Sequence, residues 1–334
     1  MHFARTEEQD ELAAIVGSML DKRSGSEAVR TASASEPGYD ETLWQALCGQ
    51  VGVAALPVPE EYDGFGASLV ETAAVLEELG RRLTPSPLLA TSIATTALLL
   101  CDPRVDAAAL LSRVATGEIA TVALDDPVLD AADAAIHLRV RDGNLVLVAG
   151  PDVEPVECID QTVRLGRVSG GAETTLGSID EALLRAVAAA LTSAAQVGTA
   201  QLGLDLTVAY SQEREQFGRP IGSFQALKHR MADMLVLVEA SRSASWGATA
   251  AAAAYVEEPT EERAAVLLRR SAVARSYCSD AFDHVASETV QLHGGIAITW
   301  EHDAQLVFKR AHVLSRLWEP AHVARASVLG VTPG

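Results

Sequence analysis

From Phe224 onward the apolar residues Leu227, Met231, Met234, Leu235 and Val238 recur at the spacing of a helix face. The pattern predicts one long helix from Phe224 to about Val256 and another from Thr260 to about His293, parted by Glu257-Glu258-Pro259. A third precedes them, from about Asp180 to Gln212. It is rich in Ala and Leu, and with so few charges between Ala186 and Leu206 it must be covered on most sides. At the start of the chain, Thr6-Glu7-Glu8 opens an amphipathic run through Leu12, Ile15, Val16 and Leu20, with Thr6 as N-cap. Ser24 to Tyr39 reads as a loop with room for one short helix, and Thr42-Leu43-Trp44 begins the next. The stretch from Val51 to Ala67 holds two prolines and three glycines and predicts no regular helix. Leu69 to Arg82 predicts a helix whose C-cap is a glycine, Gly80.

Between Ile119 and Ser178 the period changes to two. Ala120 to Leu124 and the alternating Ile136-His137-Leu138-Arg139-Val140 read as strands. Arg141-Asp142-Gly143-Asn144 supplies a hairpin turn before Leu145 to Val148, and Val163 to Val168 adds a strand. The expected fold is mainly α with a small antiparallel β domain. It divides into an N-terminal helical domain at 1–118, a reduced β domain at 119–178 and a C-terminal four-helix bundle at 179–330. The nearly all-round apolarity of the first bundle helix also predicts packing against other subunits.

Composition narrows the function. The chain has 334 residues, 49% hydrophobic, enough for two or three cores. No apolar run reaches the roughly 20 residues of a membrane span, and the acidic start Met1-His2-Phe3-Ala4-Arg5 onward is unlike a signal peptide. Cys48, Cys101, Cys158 and Cys278 form no CxxC pair, so neither a zinc site nor a disulfide framework is expected, and a reducing cytoplasm fits. A formal charge of −19 argues against nucleic acid. It also means that any bound phosphate must be met by local arginines, and Arg214, Arg219 and Arg230 crowd one segment. His229, His284, His302 and His312 have no metal-ligand spacing, and no metal is expected.

That segment is the turn Arg214-Glu215-Gln216-Phe217-Gly218-Arg219-Pro220-Ile221-Gly222 between two long helices. Arginines and a glutamine beside a phenylalanine suit a pyrophosphate and a flat ring. A second motif, Gln291-Leu292-His293-Gly294-Gly295, closes the third long helix. Its two glycines cap the helix and let a ligand approach the backbone closely.

Arg214-x-x-Phe217-Gly218 followed by Phe224-Gln225, and then Gln291-x-x-Gly294-Gly295, closely resemble the motifs of the acyl-CoA dehydrogenase family, flavoproteins that oxidise the Cα–Cβ bond of acyl thioesters. The loop phrase with Pro59-Glu60-Glu61-Tyr62 and the phrase Glu77-Glu78-Leu79-Gly80-Arg81 carry the likeness across the whole chain. The resemblance implies FAD as cofactor, with Arg214, Phe217, Gln225, Gln291, Gly294 and Gly295 touching its adenosine diphosphate across a subunit boundary. Two departures stand out. The family's Thr-Glu-Pro phrase and Trp-Ile-Ser/Thr strand, which hold the flavin ring, have no match between Ile119 and Ser178. The family's glutamate base falls on Asp280, fourteen residues before Gly294, or near Trp318, with Glu319 next to it. The chain therefore resembles the smaller, base-deficient subunit of actinobacterial α2β2 acyl-CoA dehydrogenases. In those a homologous partner supplies the base, the substrates include CoA thioesters of sterol side chains, and electron-transfer flavoprotein is the kind of electron acceptor expected. A self-sufficient homotetramer with Asp280 as base, and a non-catalytic scaffold, are the alternatives.

Overall fold

The computed structural model describes residues 5–103 and 107–330. Residues 1–4, which carry most of the N-terminal sequence weighed above, lie outside the described residues. The helical part begins with α1 (Glu7–Arg23), where Thr6 accepts from the Gln9 amide while Gln9 bonds back to Thr6 in a capping box. The loop after it contains the one short helix it had room for, α2 (Ser26–Ala34), held down by Val29 and Ala32. Then come α3 (Glu41–Ala46), α4 (Leu69–Arg81), α5 (Leu88–Leu100) and α6 (Ala108–Ala115). Every residue of α5 from Leu88 to Leu99 is buried, so it is the axis of this part of the core.

Seven strands follow: β1 (Ala120–Ala123), β2 (Val128–Leu129), β3 (Ile136–Arg141), β4 (Asn144–Ala149), β5 (Asp152–Val156), β6 (Leu165–Ser169) and β7 (Ala172–Ser178). They form two sheets, ordered β1-β3-β4-β7 and β2-β6-β5. Asp142 and Gly143, at φ 51° and 73°, make the two-residue turn of the β3–β4 hairpin. The domain is not wholly antiparallel: β1 pairs with β3 in parallel. The intervening chain leaves to form β2 in the other sheet, and that crossover lets β3 return in the same direction.

The long helices are α7 (Glu181–Glu213), α8 (Gln225–Glu257) and α9 (Glu261–His293), of 33 residues each; the small hairpin β8 (Glu215–Gln216) and β9 (Arg219–Pro220) joins α7 to α8, and Asp180 and Thr260 cap α7 and α9. α10 (Ala304–Leu314) completes the bundle and α11 (Ala321–Leu329) packs on α9. By length and composition α7 could cross a membrane, but 83% of its apolar window is buried inside the fold, as in a core helix.

Two features lock the parts together. Gly80 is inside α4 rather than its cap: a Cβ there would sit 2.4 Å from the Ala195 carbonyl oxygen, and one on Gly198 of α7 only 2.0 Å from that of Glu77. Glycine is present because two helix backbones touch, and Thr199 Oγ1 donates across the crossing to Gly80 O at 3.0 Å. The second feature is Arg310 of α10, whose guanidinium is buried. Nε donates to Thr162 Oγ1 at 3.0 Å and faces Asp160 Oδ2 at 3.4 Å, and Nη2 donates to the Leu83 carbonyl at 3.2 Å. One cation thus joins the helical part, the strands and the bundle. Beside it a cavity of about 50 Å³, lined by Leu76, Leu129, Asp130, Val163 and Leu314 among others, has room for only a few waters. Burial, and then the like charge of Asp133, hold the Asp130 carboxyl well above the usual carboxylate range, with Arg164 opposing.

Gly198→Ala forces the α4–α7 crossing apart and costs about 1–3 kcal/mol or more, read as a lower denaturant midpoint. Asp130 is protonated in the fold at pH values where the unfolded chain has released its proton. Native stability therefore falls as pH rises from the ordinary carboxylate range toward the raised native value. Asp130→Asn removes that dependence, so its gain in melting temperature is larger at pH 8 than at pH 4.5.

Candidate functional site

The up-and-down course of α7, α8 and α9 brings the end of α7, the start of α8 and the end of α9 to one end of the bundle. Arg230 of α8 pairs there with Glu288 of α9, and Tyr210 of α7 stacks on His293 of α9 with ring centroids 4.6 Å apart. Both sequence motifs therefore share one surface.

Arg214 ends α7, its amide bonded to Tyr210 O, and its carbonyl accepts from the Ile221 amide at 2.8 Å, closing the turn. Phe217 at the tip is 93% exposed and adopts φ 54°, a strained value for a bulky residue. It meets Phe224 edge-on at 6.1 Å, and Arg219 lies 4.1 Å over the Phe224 ring. Gly222 is required by contact, since a Cβ would fall 2.9 Å from the Ser211 carbonyl oxygen. Among the described residues Arg214 has no carboxylate partner, whereas Arg230 is taken by Glu288. The turn hands over to α8 at Phe224, which offers no side-chain cap, and the first turn of α8 has no acidic residue. The positive end of a 33-residue helix is thus bare next to Arg214 and Gln225.

Gln291 is exposed one turn before the end of α9. Gly294 adopts φ 64°, ψ −142°, a conformation in practice reserved for glycine, and neither Gly294 nor Gly295 has a neighbour within 4 Å of where a Cβ would be. Their backbone is open to a ligand. A free guanidinium, uncapped helix amides, an exposed ring and a bare glycine strip together suit a molecule that carries phosphates and a flat base.

The two candidate bases lie elsewhere. Asp280 is about 21 Å along α9 from Gly294 at 1.5 Å per residue; its side chain is exposed and ion-paired with Arg325 of α11. Glu319 is exposed, and its carbonyl accepts from Arg275 Nε at 2.6 Å. Burial pulls the Arg275 guanidinium down to about 10, and its remaining bonds go to Ser279 Oγ and the Leu314 and Ser315 carbonyls. Trp318, at φ 68°, lays its indole on α7, donating to Thr192 Oγ1 at 2.8 Å. Trp318 and Glu319 border a groove of about 600 Å³ floored by Ala182, Ala186 and Ala189. Asp280 does not face it. Among the described residues no cluster of His, Cys, Asp or Glu could hold a metal.

Sequence reading missed the ring stack of Tyr210, His293 and His302, and missed Arg310. A signal existed for the first: His293 sits inside a motif on a helix end, but its partner His302 belongs to the next segment. For Arg310 there was none, because Asp160 is 150 residues away.

A helical part, a small set of strands and a bundle of long helices with an arginine-bearing turn at one end form the architecture of an acyl-CoA dehydrogenase. Residues 6–118 match the acyl-CoA dehydrogenase N-terminal domain and 185–318 the acyl-CoA dehydrogenase C-terminal domain. The chain is 45% identical to acyl-CoA dehydrogenase IpdE2 of Mycolicibacterium smegmatis over 317 residues, 94% of this chain and 96% of the relative, and 44% identical to IpdE2 of Mycobacterium tuberculosis over 321 residues, 96% of each. Among solved structures it resembles the ChsE4-ChsE5 complex from Mycobacterium tuberculosis, with a TM-score of 0.85, 25% identity and full coverage of both chains. It also resembles the Tcur3481-Tcur3483 steroid ACAD, with a TM-score of 0.87, 26% identity and 97% of each chain covered. The chain belongs to the acyl-CoA dehydrogenase family of FAD-dependent oxidoreductases.

Removing the Arg214 guanidinium tests the site directly. Arg214→Ala lowers the FAD held by the purified protein or its complex, with Kd up by about tenfold or more for one lost charge-assisted contact. Flavin absorbance per protein measures it, and the melting temperature of the flavin-free chain stays unchanged.

Proposed function

We propose that this chain is the base-deficient subunit of a heterotetrameric acyl-CoA dehydrogenase. Its Arg214 turn and Gly294-Gly295 strip grip the adenosine diphosphate end of an FAD whose ring lies over the partner's active site. The observation that carries this reading is the contrast between the two halves of a flavin site. At the bundle end Arg214, the bare start of α8, Gln225 and the open glycines fit a diphosphate. Where the strands meet the bundle, the Arg310–Asp160 pair and packed leucines leave about 50 Å³, which does not fit a tricyclic ring. Asp280, tied to Arg325 and turned outward, supports placing the base on a homologous partner.

FAD, when bound, accepts the β-hydride of the acyl thioester. The role of this chain is to orient and neutralise the cofactor's phosphates, with electron-transfer flavoprotein as the proposed acceptor and the cytoplasm as the setting. The substrate class proposed is CoA thioesters of steroid-derived acyl chains, supported by similarity to the steroid ACAD and ChsE4-ChsE5 structures. The map of 1–118, 119–178 and 179–330 is retained as the domain division.

The test is mutational, in the assembled enzyme. Asp280→Ala leaves kcat within about tenfold, less than 1.4 kcal/mol in the barrier, while removing the partner's glutamate abolishes turnover. Light scattering gives an α2β2 mass, and the chain purified alone is pale. A loss beyond tenfold from Asp280→Ala, with flavin content and assembly intact, would instead establish a self-sufficient enzyme.

A further inference from the structure

The loop that follows α9 leaves the helix at His293 and re-enters helix just after His302. At its base the two imidazole centroids are 4.5 Å apart, and Tyr210 stacks on His293 with planes 25° apart and meets His302 edge-on at 6.3 Å. The rings hold opposite tautomers. His293 Nδ1 lies 2.7 Å from the Thr289 carbonyl and must donate to it, which leaves Nε2 buried with no hydrogen-bond partner. His302 Nδ1 accepts the Ala304 amide at 3.1 Å, so its proton is on Nε2. The next residue, Asp303, takes Ser26 Oγ and Arg30 Nη2 of α2, each at 2.6 Å. The span from Gly294 to Glu301 is therefore clasped at both ends while its own side chains Ile296, Ile298 and Trp300 stand exposed.

We propose that Tyr210, His293 and His302 are positioning residues: a neutral three-ring clasp that fixes the Gly294-Gly295 turn for the cofactor's adenosine diphosphate and loosens when an imidazole gains a proton. The inference rests on the cofactor reading above. A proton on His302 Nδ1 displaces the Ala304 amide, and a proton on His293 Nε2 places a buried charge 4.5 Å from the second ring. The groups facing the pair are the Tyr210 hydroxyphenyl ring and Leu206 carbonyl from α7, the Thr289 carbonyl from α9, Asp303 from the loop end and Arg30 from α2. Burial depresses both imidazoles below their ordinary value. At His293 the Thr289 and Leu206 carbonyls oppose this while the His302 charge adds to it, and at His302 Asp303 opposes while Arg30 adds. The sign follows: the clasp is intact above the ordinary imidazole range and is lost as pH falls through the lowered native values.

Amide hydrogen exchange over 294–301, corrected for intrinsic rates, tests the clasp in the chain itself without reference to flavin. Protection at pH 7.5 falls about threefold to tenfold at pH 5.5, the size of one lost ring pair. His302→Asn, which keeps an acceptor for Ala304 but removes the ring, shows the loss already at pH 7.5. His302→Phe, which keeps a ring but gives the Ala304 amide no acceptor, lowers protection already at pH 7.5 and leaves between the two pH values only the smaller fall due to His293. Equal protection at both pH values together with an unaffected His302→Asn would overturn the proposal. In the assembled enzyme, FAD release follows the same pattern, faster in both variants at pH 7.5 and less dependent on pH in His302→Phe than in the unmodified chain. If exchange follows the clasp while FAD release does not change, the clasp stands and the assignment of the turn to the cofactor is what fails.

Discussion

The contact on which the rest of the structure depends is the crossing of α4 and α7, where Gly80 and Gly198 let two helix backbones touch. A helix approached this closely on one side still has to bury the apolar residues on its others. α5, α8, α9 and α10 all pack on α7 for that reason, and only its ends are free. Near the N-terminal end Arg185 reaches Asp125 and the Leu124 carbonyl beside the strands, and at the other end Arg214 opens the turn. The arrangement of functional groups is thus a consequence of burying one helix: what α7 cannot hide within its length is displayed at its tips.

Much of this was legible in the sequence, for a physical reason. Helix caps are local, so Thr6, Asp180 and Thr260 mark their helices correctly, and the two cofactor motifs are contiguous runs. What was not legible is whatever depends on contacts distant in sequence. Gly80 gives the same local signal whether it ends a helix or admits a neighbouring backbone, and only the presence of Ala195 O decides between them. α2 could be placed only as one short helix within a loop, without bounds, because its serines and flanking glycine look like loop while its stability comes from burying Val29. β7, Ala172–Ser178, is mostly exposed and so has little apolar alternation to detect. The parallel β1–β3 pair followed from a crossover that no local pattern encodes.

The electrostatics of the chain are similarly divided. The overall charge of −19 repels polyanions, yet the bundle end combines an unpaired Arg214 with an uncapped helix start. Any attraction this end exerts on a phosphate is therefore short in range, set by contacts within a few ångströms and shielded from the acidic remainder by about a Debye length of salt. The opposite treatment is seen at Arg310, whose charge is neutralised internally by Asp160. One arginine is kept available and the other is used as a fastener.

That fastener has a bearing on how the molecule is made. Asp160 and Thr162 leave the ribosome well before Arg310, and at roughly 5–20 residues per second the intervening 150 residues take about 8–30 s to synthesise. During that interval the Asp160 carboxylate and the Leu83 carbonyl have no cation to receive, and burying them would be unfavourable. The strands and the first helices must therefore wait, loosely docked, for α10 to arrive. Final consolidation of all three parts awaits α10, so a ribosome stalled before that helix holds a nascent chain whose strands and first helices are made but still unlatched.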